Sequence, residues 1–190
     1  MGRGRNSRRI GGRRLGSDRD GKSGRRQDEG KEKWARSHHA QYDTKSLHVT
    51  SRQTVRIAWG DCDAAGIVYF PRYFEWFDAG THALFDKVGL SFARIREQYG
   101  GAAIPLVATR ATFILPSTYG DEVAIDTTIA RFGRSSFDVH HRLLRGEELA
   151  VECFETRVWT VRNAENRLEG QAIPAEVIQL FTTAEKIERP

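Results

Sequence analysis

Residues 60–90 read GDCDAAGIVYFPRYFEWFDAGTHALFDKVGL, and the second half of this stretch has the spacing of one long amphipathic helix. From Pro71 to about Val88, apolar side chains recur at the i, i+3, i+4 and i+7 intervals that place them on one helical face. Proline is favoured at the first helical position, and Gly89 is a typical residue to end the helix. The predicted buried face consists of Tyr73, Phe74, Phe77, Gly80, Thr81, Leu84, Phe85 and Val88.

Strand patterns lie on both sides of this helix. Before it, residues 53–59 alternate, with Val55, Ile57 and Trp59 as the apolar set. After it, residues 91–99 are expected to form a short connection, and residues 174–181 a short closing helix. Between them, four segments rich in Val, Ile, Thr, Phe or Trp are separated by turn signals; they are residues 104–115, 122–132, 136–144 and 149–161. This order predicts an α+β fold in which a curved antiparallel meander covers the helix.

The N-terminal quarter of the chain differs from the rest in composition. Residues 1–48 contain 14 Lys and Arg against 6 Asp and Glu, whereas residues 49–190 contain 16 against 19. The N-terminal segment is rich in Arg and Gly and poor in large apolar residues, so burial cannot offset the entropy of ordering it. We therefore expect a disordered basic tail, residues 1–48, and one folded domain, residues 49–190. The tail fits a nucleic-acid arm, a transit peptide or an inert extension, and its acidic residues argue against a transit peptide.

Several classes of protein are disfavoured by what the sequence lacks. No apolar run is long enough to span a membrane, and no N-terminal apolar segment marks a secretory signal. Two cysteines, Cys62 and Cys153, are too few for a disulfide framework or a structural zinc site. His140 and His141 are adjacent in a predicted strand, so they face opposite sides and cannot both bind one metal from that strand. These features predict a cytoplasmic protein with no membrane association, no metal and no other cofactor.

The loop before the long helix carries the densest chemistry. Asp61 and Asp63 follow a predicted strand and precede a helix N-terminus, where backbone amides between Gly66 and Phe70 are expected to be free to hold an oxyanion. A carboxylate beside such amides suits acyl transfer, because the carboxylate attacks or activates water while the amides stabilise the oxygen. From the residue types alone, both aspartates fit equally well as turn and cap residues.

Residues 60–90 resemble the signature of the 4-hydroxybenzoyl-CoA thioesterase family of the hotdog superfamily, in which a DxDxxGIVYxPxY-like segment enters the central helix. The likeness extends through the strand order to about Phe181. It implies a hotdog fold, with a curved antiparallel sheet wrapped around one long central helix, and an acyl-CoA thioesterase without a cofactor. It also implies active sites at a dimer interface, with two dimers usually forming a homotetramer.

The resemblance assigns roles to particular positions. Asp63 matches the family's catalytic carboxylate, a nucleophile or general base, and Phe70 matches the residue whose backbone amide polarises the thioester carbonyl. Asp61 is assigned to bracing the turn. The family implies that Gly66 and Tyr69 contact the substrate.

A basic segment between the third and fourth strands holds the CoA phosphates in the aryl-CoA branch of the family. The residues expected to do so here are Arg131, Arg134 and Ser136. The chain departs from the family at two places. It lacks the His that often follows the Tyr of the motif, and Gly133 and Ser135 leave the basic segment weaker, so Arg110 or Arg142 are alternative phosphate contacts.

The predicted function is hydrolysis of an aromatic acyl-CoA, similar to 4-hydroxybenzoyl-CoA, to the free acid and CoA. One alternative is a thioesterase for short or medium aliphatic acyl groups. An alternative of another class is a hotdog scaffold whose basic tail binds nucleic acid, and deletion of residues 1–48 would discriminate between them.

Overall fold

The computed structural model describes residues 49–182; the predicted tail, residues 1–48, and residues 183–190 lie outside the described residues. Within that range, one long helix and a five-stranded antiparallel sheet form the body of the fold. The elements in chain order are β1 (Thr50–Arg56), a 3₁₀ turn (Trp59–Asp61), α1 (Pro71–Lys87), α2 (Phe92–Gln98), β2 (Leu106–Phe113), β3 (Glu122–Phe132), β4 (Ser136–Arg145), β5 (Glu148–Val158), β6 (Thr160–Arg162), β7 (Leu168–Gly170) and α3 (Ala175–Thr182).

The predicted long helix is confirmed as α1, which starts at Pro71 and ends one residue before its C-cap Val88. Gly89 follows with φ +77°, the left-handed conformation that glycine adopts without steric cost. The predicted buried face is also correct, except that Phe74 is half-buried. Its apolar side chains pack in two clusters, one around Tyr73 and Phe77 and the other around Leu84 and Phe85.

The sheet order is β1-β3-β4-β5-β2, so the predicted simple meander holds only for β3 to β5. β2 pairs antiparallel with β5 and not with β3. β1 and β2, which precede and follow α1 in the chain, occupy opposite edges of the sheet. Along β2, every residue except Ala111 is exposed, and its other edge pairs with no strand among residues 49–182.

Three local predictions were wrong. The first strand ends at Arg56, and Trp59 lies in the 3₁₀ turn with 78% of its surface exposed, because Asp61 and Cys62 donate backbone hydrogen bonds back to Ala58 and Trp59. Residues 91–99 contain a helix, α2, which is capped by Ser91 Oγ. The predicted strand 149–161 breaks at Trp159, whose N–H donates to Ser135 O, and β6 and β7 form a separate hairpin.

Candidate active site

The loop between β1 and α1 is held by the side chain and backbone of Asp61. Asp61 Oδ2 accepts the Ala58 N–H at 2.8 Å, and Asp61 O accepts the Tyr69 N–H at 2.8 Å. Asp61 Oδ1 is also 3.5 Å from Nε of Arg72 in the first turn of α1. Asp61 therefore braces both ends of the loop, as the sequence analysis expected.

Asp63 lies at the exposed centre of this loop, in a tight turn of its own. Its Oδ1 accepts the Ala65 N–H at 2.8 Å, and its carbonyl accepts the Gly66 N–H at 3.0 Å. Gly66 has φ +77°, which a residue with a Cβ would adopt only with strain. Among residues 49–182, nothing donates a hydrogen bond to Oδ2 of Asp63, so one carboxylate oxygen is held in place and the other is available for chemistry.

Phe70 is the N-cap residue of α1, with Pro71 at the first helical position. The Phe70 carbonyl accepts the Tyr73 N–H at 3.2 Å, whereas the Phe70 N–H donates to no group in the described part of the chain. That amide lies at the positive end of the helix dipole, where a developing negative charge is stabilised.

The other amides of this segment are less available than the sequence analysis expected. The Gly66 N–H donates to Asp63 O, the Val68 N–H to Ser117 O and the Tyr69 N–H to Asp61 O. The first of these bonds closes the Asp63 turn, and the others tie the loop to the rest of the fold. Within residues 49–182, Ile67 and Phe70 are the two residues of this segment whose amides donate to no group, and Phe70 is the one of them at the helix N-terminus; Gly66 contributes the turn conformation.

Asp63 and Phe70 both line one open cavity of about 420 Å³, here called the Asp63 cavity. Its remaining wall is apolar and aromatic, and burial raises the pKa of the Tyr73 hydroxyl, so that this group is neutral at pH 7. Tyr69 is half-exposed beside it, with its ring 5.4 Å from that of Phe70. The wall is formed by Ile67, Val68, Tyr73, Phe113, Ile114, Leu115 and Pro116.

The predicted phosphate contacts lie elsewhere in the chain, at the β3–β4 hairpin. Arg131 is paired with Asp138 at 2.9 Å, Arg134 is exposed, and Ser136 begins β4. The neighbouring Phe137 packs against Phe85 near the C-terminal end of α1. Because α1 has 17 residues and each adds about 1.5 Å, this hairpin and Phe70 lie at opposite ends of a helix about 25 Å long. Within one chain, Arg131, Arg134 and Ser136 therefore do not lie near Asp63.

A second cavity of about 330 Å³, here called the Arg157 cavity, lies between α1, α2 and the start of β2. Asp78, His82, Arg96 and Arg157 supply its polar groups, and the rest of its lining is mainly apolar. Sequence reasoning missed this cavity. A signal was present, because the alternation of β5 places Glu155 and Arg157 on the buried face with Val151 and Cys153.

A buried polar layer separates the two apolar clusters and reaches the Arg157 cavity. His141 Nδ1 is 2.9 Å from Thr127 Oγ1, and His141 Nε2 is 3.5 Å from Glu155 Oε2. Arg157 donates to Glu155 through Nε and Nη2, at 3.0 and 2.8 Å, and to Asp78 Oδ1 at 2.6 Å. Burial lowers the pKa of His141, so its ring is neutral at pH 7.

His140 has a different environment on the opposite face of the sheet. Its Nε2 is 2.9 Å from Glu152, and its ring stacks on Phe154 at 4.4 Å. The prediction that His140 and His141 face opposite sides is confirmed.

Within residues 49–182, no group of three or more His, Cys, Asp or Glu side chains is placed so that it could hold a metal ion. In the same part of the chain, no helix combines the length and the apolar character that a membrane span requires.

Comparison with known proteins defines the class of fold. The family model of the thioesterase-like superfamily matches residues 57–181, and the chain belongs to this superfamily. The predicted hotdog fold and family are therefore confirmed.

Two curated relatives and one solved structure illustrate the similarity. The chain is 36% identical over 131 residues to 4-hydroxybenzoyl-CoA thioesterase of Pseudomonas sp. (strain CBS-3), a match that covers 66% of this chain and 92% of that protein. It is 33% identical over 97 residues to 1,4-dihydroxy-2-naphthoyl-CoA hydrolase of Synechococcus sp. (strain WH7803), covering 48% and 63% of the two chains. A crystallised variant of 4-hydroxybenzoyl-CoA thioesterase in complex with 4-hydroxybenzoyl-CoA has a TM-score of 0.64 and 32% identity, and the match covers 70% of this chain and 99% of that chain. These activities support the predicted class of enzyme, an acyl-CoA thioester hydrolase.

Proposed function

We propose that this chain hydrolyses an aromatic acyl-CoA, with the Asp63 carboxylate as nucleophile or general base and the Phe70 amide as the oxyanion donor. The observation that carries the proposal is that both groups line one apolar cavity, each with an unused hydrogen-bonding atom. Similarity to thioesterases that act on aryl-CoA substrates supports the same chemistry.

In the general-base route, Asp63 takes a proton from water while the water oxygen attacks the thioester carbonyl carbon. The carbonyl oxygen becomes an oxyanion that accepts a hydrogen bond from the Phe70 N–H at the end of α1. Collapse of the tetrahedral intermediate breaks the C–S bond, and the CoA thiolate recovers the proton from Asp63. In the nucleophilic route, Asp63 attacks the carbonyl itself, CoA leaves as the thiolate, and water then hydrolyses the mixed anhydride.

The preference for an aromatic acyl group is supported by the wall of the Asp63 cavity. Tyr73 and Phe113 lie with their ring centroids 5.6 Å apart, and Phe70 adds a third ring. Flat rings pack against such a surface with favourable edge and offset contacts. Aliphatic acyl groups gain less from this geometry.

We further propose that the enzyme is a dimer in which the exposed edge of β2 pairs with the same edge of a second copy. Long, exposed, apolar edge strands are templates for pairing, and Leu106, Val107 and Phe113 are each exposed by 42% or more. In an antiparallel pair, side chains directly opposite each other point to the same face of the sheet. The two-fold axis of a symmetric dimer must therefore lie at a position where one residue is paired with the same residue of the second copy. Centring the axis on Arg110 would oppose two guanidinium groups, whereas centring it on Thr109 opposes two hydroxyls.

β2 has a bulge between Leu106 and Ala108, so a two-fold axis at Thr109 would bring Phe113 of one copy close to Ile104 and Pro105 of its partner. Phe113 lines the Asp63 cavity and Pro105 lines the Arg157 cavity, so the Asp63 cavity of one copy would adjoin the Arg157 cavity of the other. The acyl group would then extend from Asp63 of one copy into the Arg157 cavity of its partner.

The same pairing would bring the residues predicted to contact the CoA phosphates close to Asp63. Leu106 is paired with Arg157, and Val158 is paired with Ser136, so Ser136 is two strand spacings, about 10 Å, from the start of β2. The hairpin of the partner would therefore lie at the same end of the joint sheet as Asp63. The partner's Arg131, Arg134 and Ser136 would be placed to contact the CoA, with Gly66 and Tyr69 contributed by the chain that supplies Asp63.

The proposal is tested by measuring free-thiol release from benzoyl, 4-hydroxybenzoyl, phenylacetyl, short aliphatic and long aliphatic CoA esters. We expect aryl esters to be preferred and Asp63→Asn to lower turnover by at least about 10²-fold, the contribution of one positioned acid or base. Asp86→Asn, on the exposed side of α1, is the matched control and should be neutral. An Asp63-dependent preference for aliphatic esters would refute the aromatic preference alone, and full activity in Asp63→Asn would refute the mechanism.

A further inference from the structure

We propose that Arg145 is a positioning residue, which fixes residues 114–118 and, through them, the Asp63 carboxylate relative to the Phe70 amide. This inference rests on the proposed function, because that function assigns the chemistry to Asp63 and Phe70. Arg145 itself takes no part in breaking the C–S bond and acts through the backbone of the loop that carries Asp63.

Residues 114–118, here called the wall segment, follow β2, and three of them line the Asp63 cavity. The segment is tied at both ends. Its first two N–H groups donate to Ala150 O at 2.8 and 3.1 Å, and its last N–H donates to Asp121 Oδ2 at 2.9 Å. Pro116, in the middle, has no N–H, so its carbonyl is the backbone group by which this residue can be held.

Arg145 supplies the contact that Pro116 needs. Its Nη1 donates to Pro116 O at 2.7 Å, and a hydrogen bond from a charged donor is stronger than one between neutral groups. The Arg145 backbone ends β4 and is paired with Val123 on one side and Glu148 on the other, so the side chain starts from a fixed point of the sheet. Glu148 Oε2 is 3.9 Å from Nη2 and its side chain is 69% exposed, so this ion pair contributes little.

The wall segment is joined directly to the loop that carries Asp63. Thr118 forms an isolated antiparallel bridge with Ile67, and the Asp63 N–H donates to Ile67 O at 2.9 Å. A shift of the wall segment is therefore passed to Asp63 through the backbone. Phe70, as the N-cap residue of α1, stays with the helix instead. The Arg145 contact thus fixes Asp63 relative to the amide that is proposed to hold the oxyanion.

Loss of this contact should lower kcat more than it changes KM. Phe70, Tyr73 and Phe113 supply the rings of the Asp63 cavity, and none of them belongs to the wall segment. Binding of the acyl group is therefore largely kept, while the distance from the Asp63 carboxylate to the thioester carbon becomes variable. A displacement of about 1 Å in a reacting group can lower the rate by about 10²-fold.

The test is Arg145→Ala, which removes the guanidinium and leaves room for a small cation. In the folded variant we expect kcat for 4-hydroxybenzoyl-CoA to fall at least about tenfold and KM to change less than about threefold. In an Asp63→Asn background the substitution should cause no further loss, because Arg145 acts through Asp63. Added methylguanidinium should restore part of the lost kcat, whereas tetramethylammonium, which carries the charge but no N–H donor, should not.

Two further variants separate positioning from general stability. Arg162→Ala removes a bond of the same kind and length, from Nη1 to Asn166 O at 2.7 Å in the β6–β7 hairpin, and it should leave kcat and KM unchanged. Arg145→Lys keeps the positive charge and a donor on a shorter side chain, so its kcat should lie between those of the unmodified enzyme and Arg145→Ala. If Arg145→Ala does not fold, an unchanged kcat in Arg145→Lys overturns the proposal.

The failures of the two proposals are distinguishable. An unchanged kcat in folded Arg145→Ala, a loss that adds to that of Asp63→Asn, or equal effects of the two cations would each overturn the positioning role. All of these outcomes are compatible with hydrolysis that requires Asp63. Full activity in Asp63→Asn would instead refute the proposed function.

Discussion

Gly80 of α1 lies directly over Thr127 of β3, so closely that a Cβ at position 80 would be 2.6 Å from Thr127 Oγ1. Thr127 is fully buried, and its hydroxyl is held by His141 Nδ1 at 2.9 Å, so it has little room to move. The absence of a side chain at Gly80 is what allows the middle of α1 to contact the buried polar layer.

Gly80→Ala should therefore destabilise the fold, although alanine favours helix by about 1 kcal/mol over glycine. Over-packing costs about 1–3 kcal/mol, which outweighs that gain. In a Thr127→Ala background the obstructing hydroxyl is gone, and Gly80→Ala should become neutral or stabilising. Urea unfolding of the four proteins at one concentration measures this coupling, and an equal cost of Gly80→Ala in both backgrounds would contradict the packing argument.

Phe70 is expected to act through its backbone and not its ring. Phe70→Ala keeps the amide N–H, so it should mainly alter KM through the lost cavity wall. Phe70→Pro removes the N–H, and the Phe70 φ of −51° is close to the value that proline imposes. Loss of one oxyanion donor typically lowers kcat by about 10²–10³-fold, so the kcat of Phe70→Pro should be much lower than that of Phe70→Ala. Comparable kcat values in the two folded variants would show that the Phe70 amide does not hold the oxyanion.

Local sequence patterns predicted the long helix, because the apolar spacing of the 17-residue segment and its end signals, Pro71 and Gly89, all lie within or next to the helix itself. They could not predict that β2 pairs with β5, since pairing partners are chosen by contacts far apart in the chain. Trp59 continues the alternating pattern of the strand. However, Asp61 accepts the Ala58 N–H and stabilises a 3₁₀ turn in which the Trp59 side chain is exposed. The motif singled out Asp63 and Phe70 as candidates for the site, whereas the contact of Asp78 with Arg157 depends on packing between α1 and β5.

Two histidines, the buried His141 and the partly buried His140, make stability depend on pH. Burial lowers the pKa of both His140 and His141 below 6.5, so between those lowered values and 6.5 the unfolded chain binds more protons than the folded one. The free energy of unfolding should therefore fall as the pH drops from 7.5 to 5.5, by at most about 1.4 kcal/mol per pH unit for each histidine. The pKa of Glu155 is lowered from 4.5, so protonation of Glu155 affects the free energy of unfolding only at pH values below the range from 5.5 to 7.5.

Urea unfolding at pH 7.5, 6.5 and 5.5 measures this dependence, with His140→Gln as the comparison because His140 lies on the outer face of the sheet. The variant should lose less stability over this range than the unmodified protein. A flat profile for the unmodified protein would show that neither buried ring resists protonation.

Thr109→Arg tests the proposed dimer and the shared site together. With the two-fold axis at Thr109, the substitution opposes two like charges at the centre of the interface, and directly opposed like charges destabilise paired strands. We expect the dimer to dissociate at concentrations where the unmodified protein remains paired, as measured by analytical ultracentrifugation, and kcat/KM to fall by at least about 10²-fold because each Asp63 loses the partner's cavity and hairpin. Thr54→Arg places the same charge on the exposed β1 edge and should change neither quantity. A Thr109→Arg monomer with full activity would show that one chain holds the complete site, and an intact dimer would place the interface elsewhere.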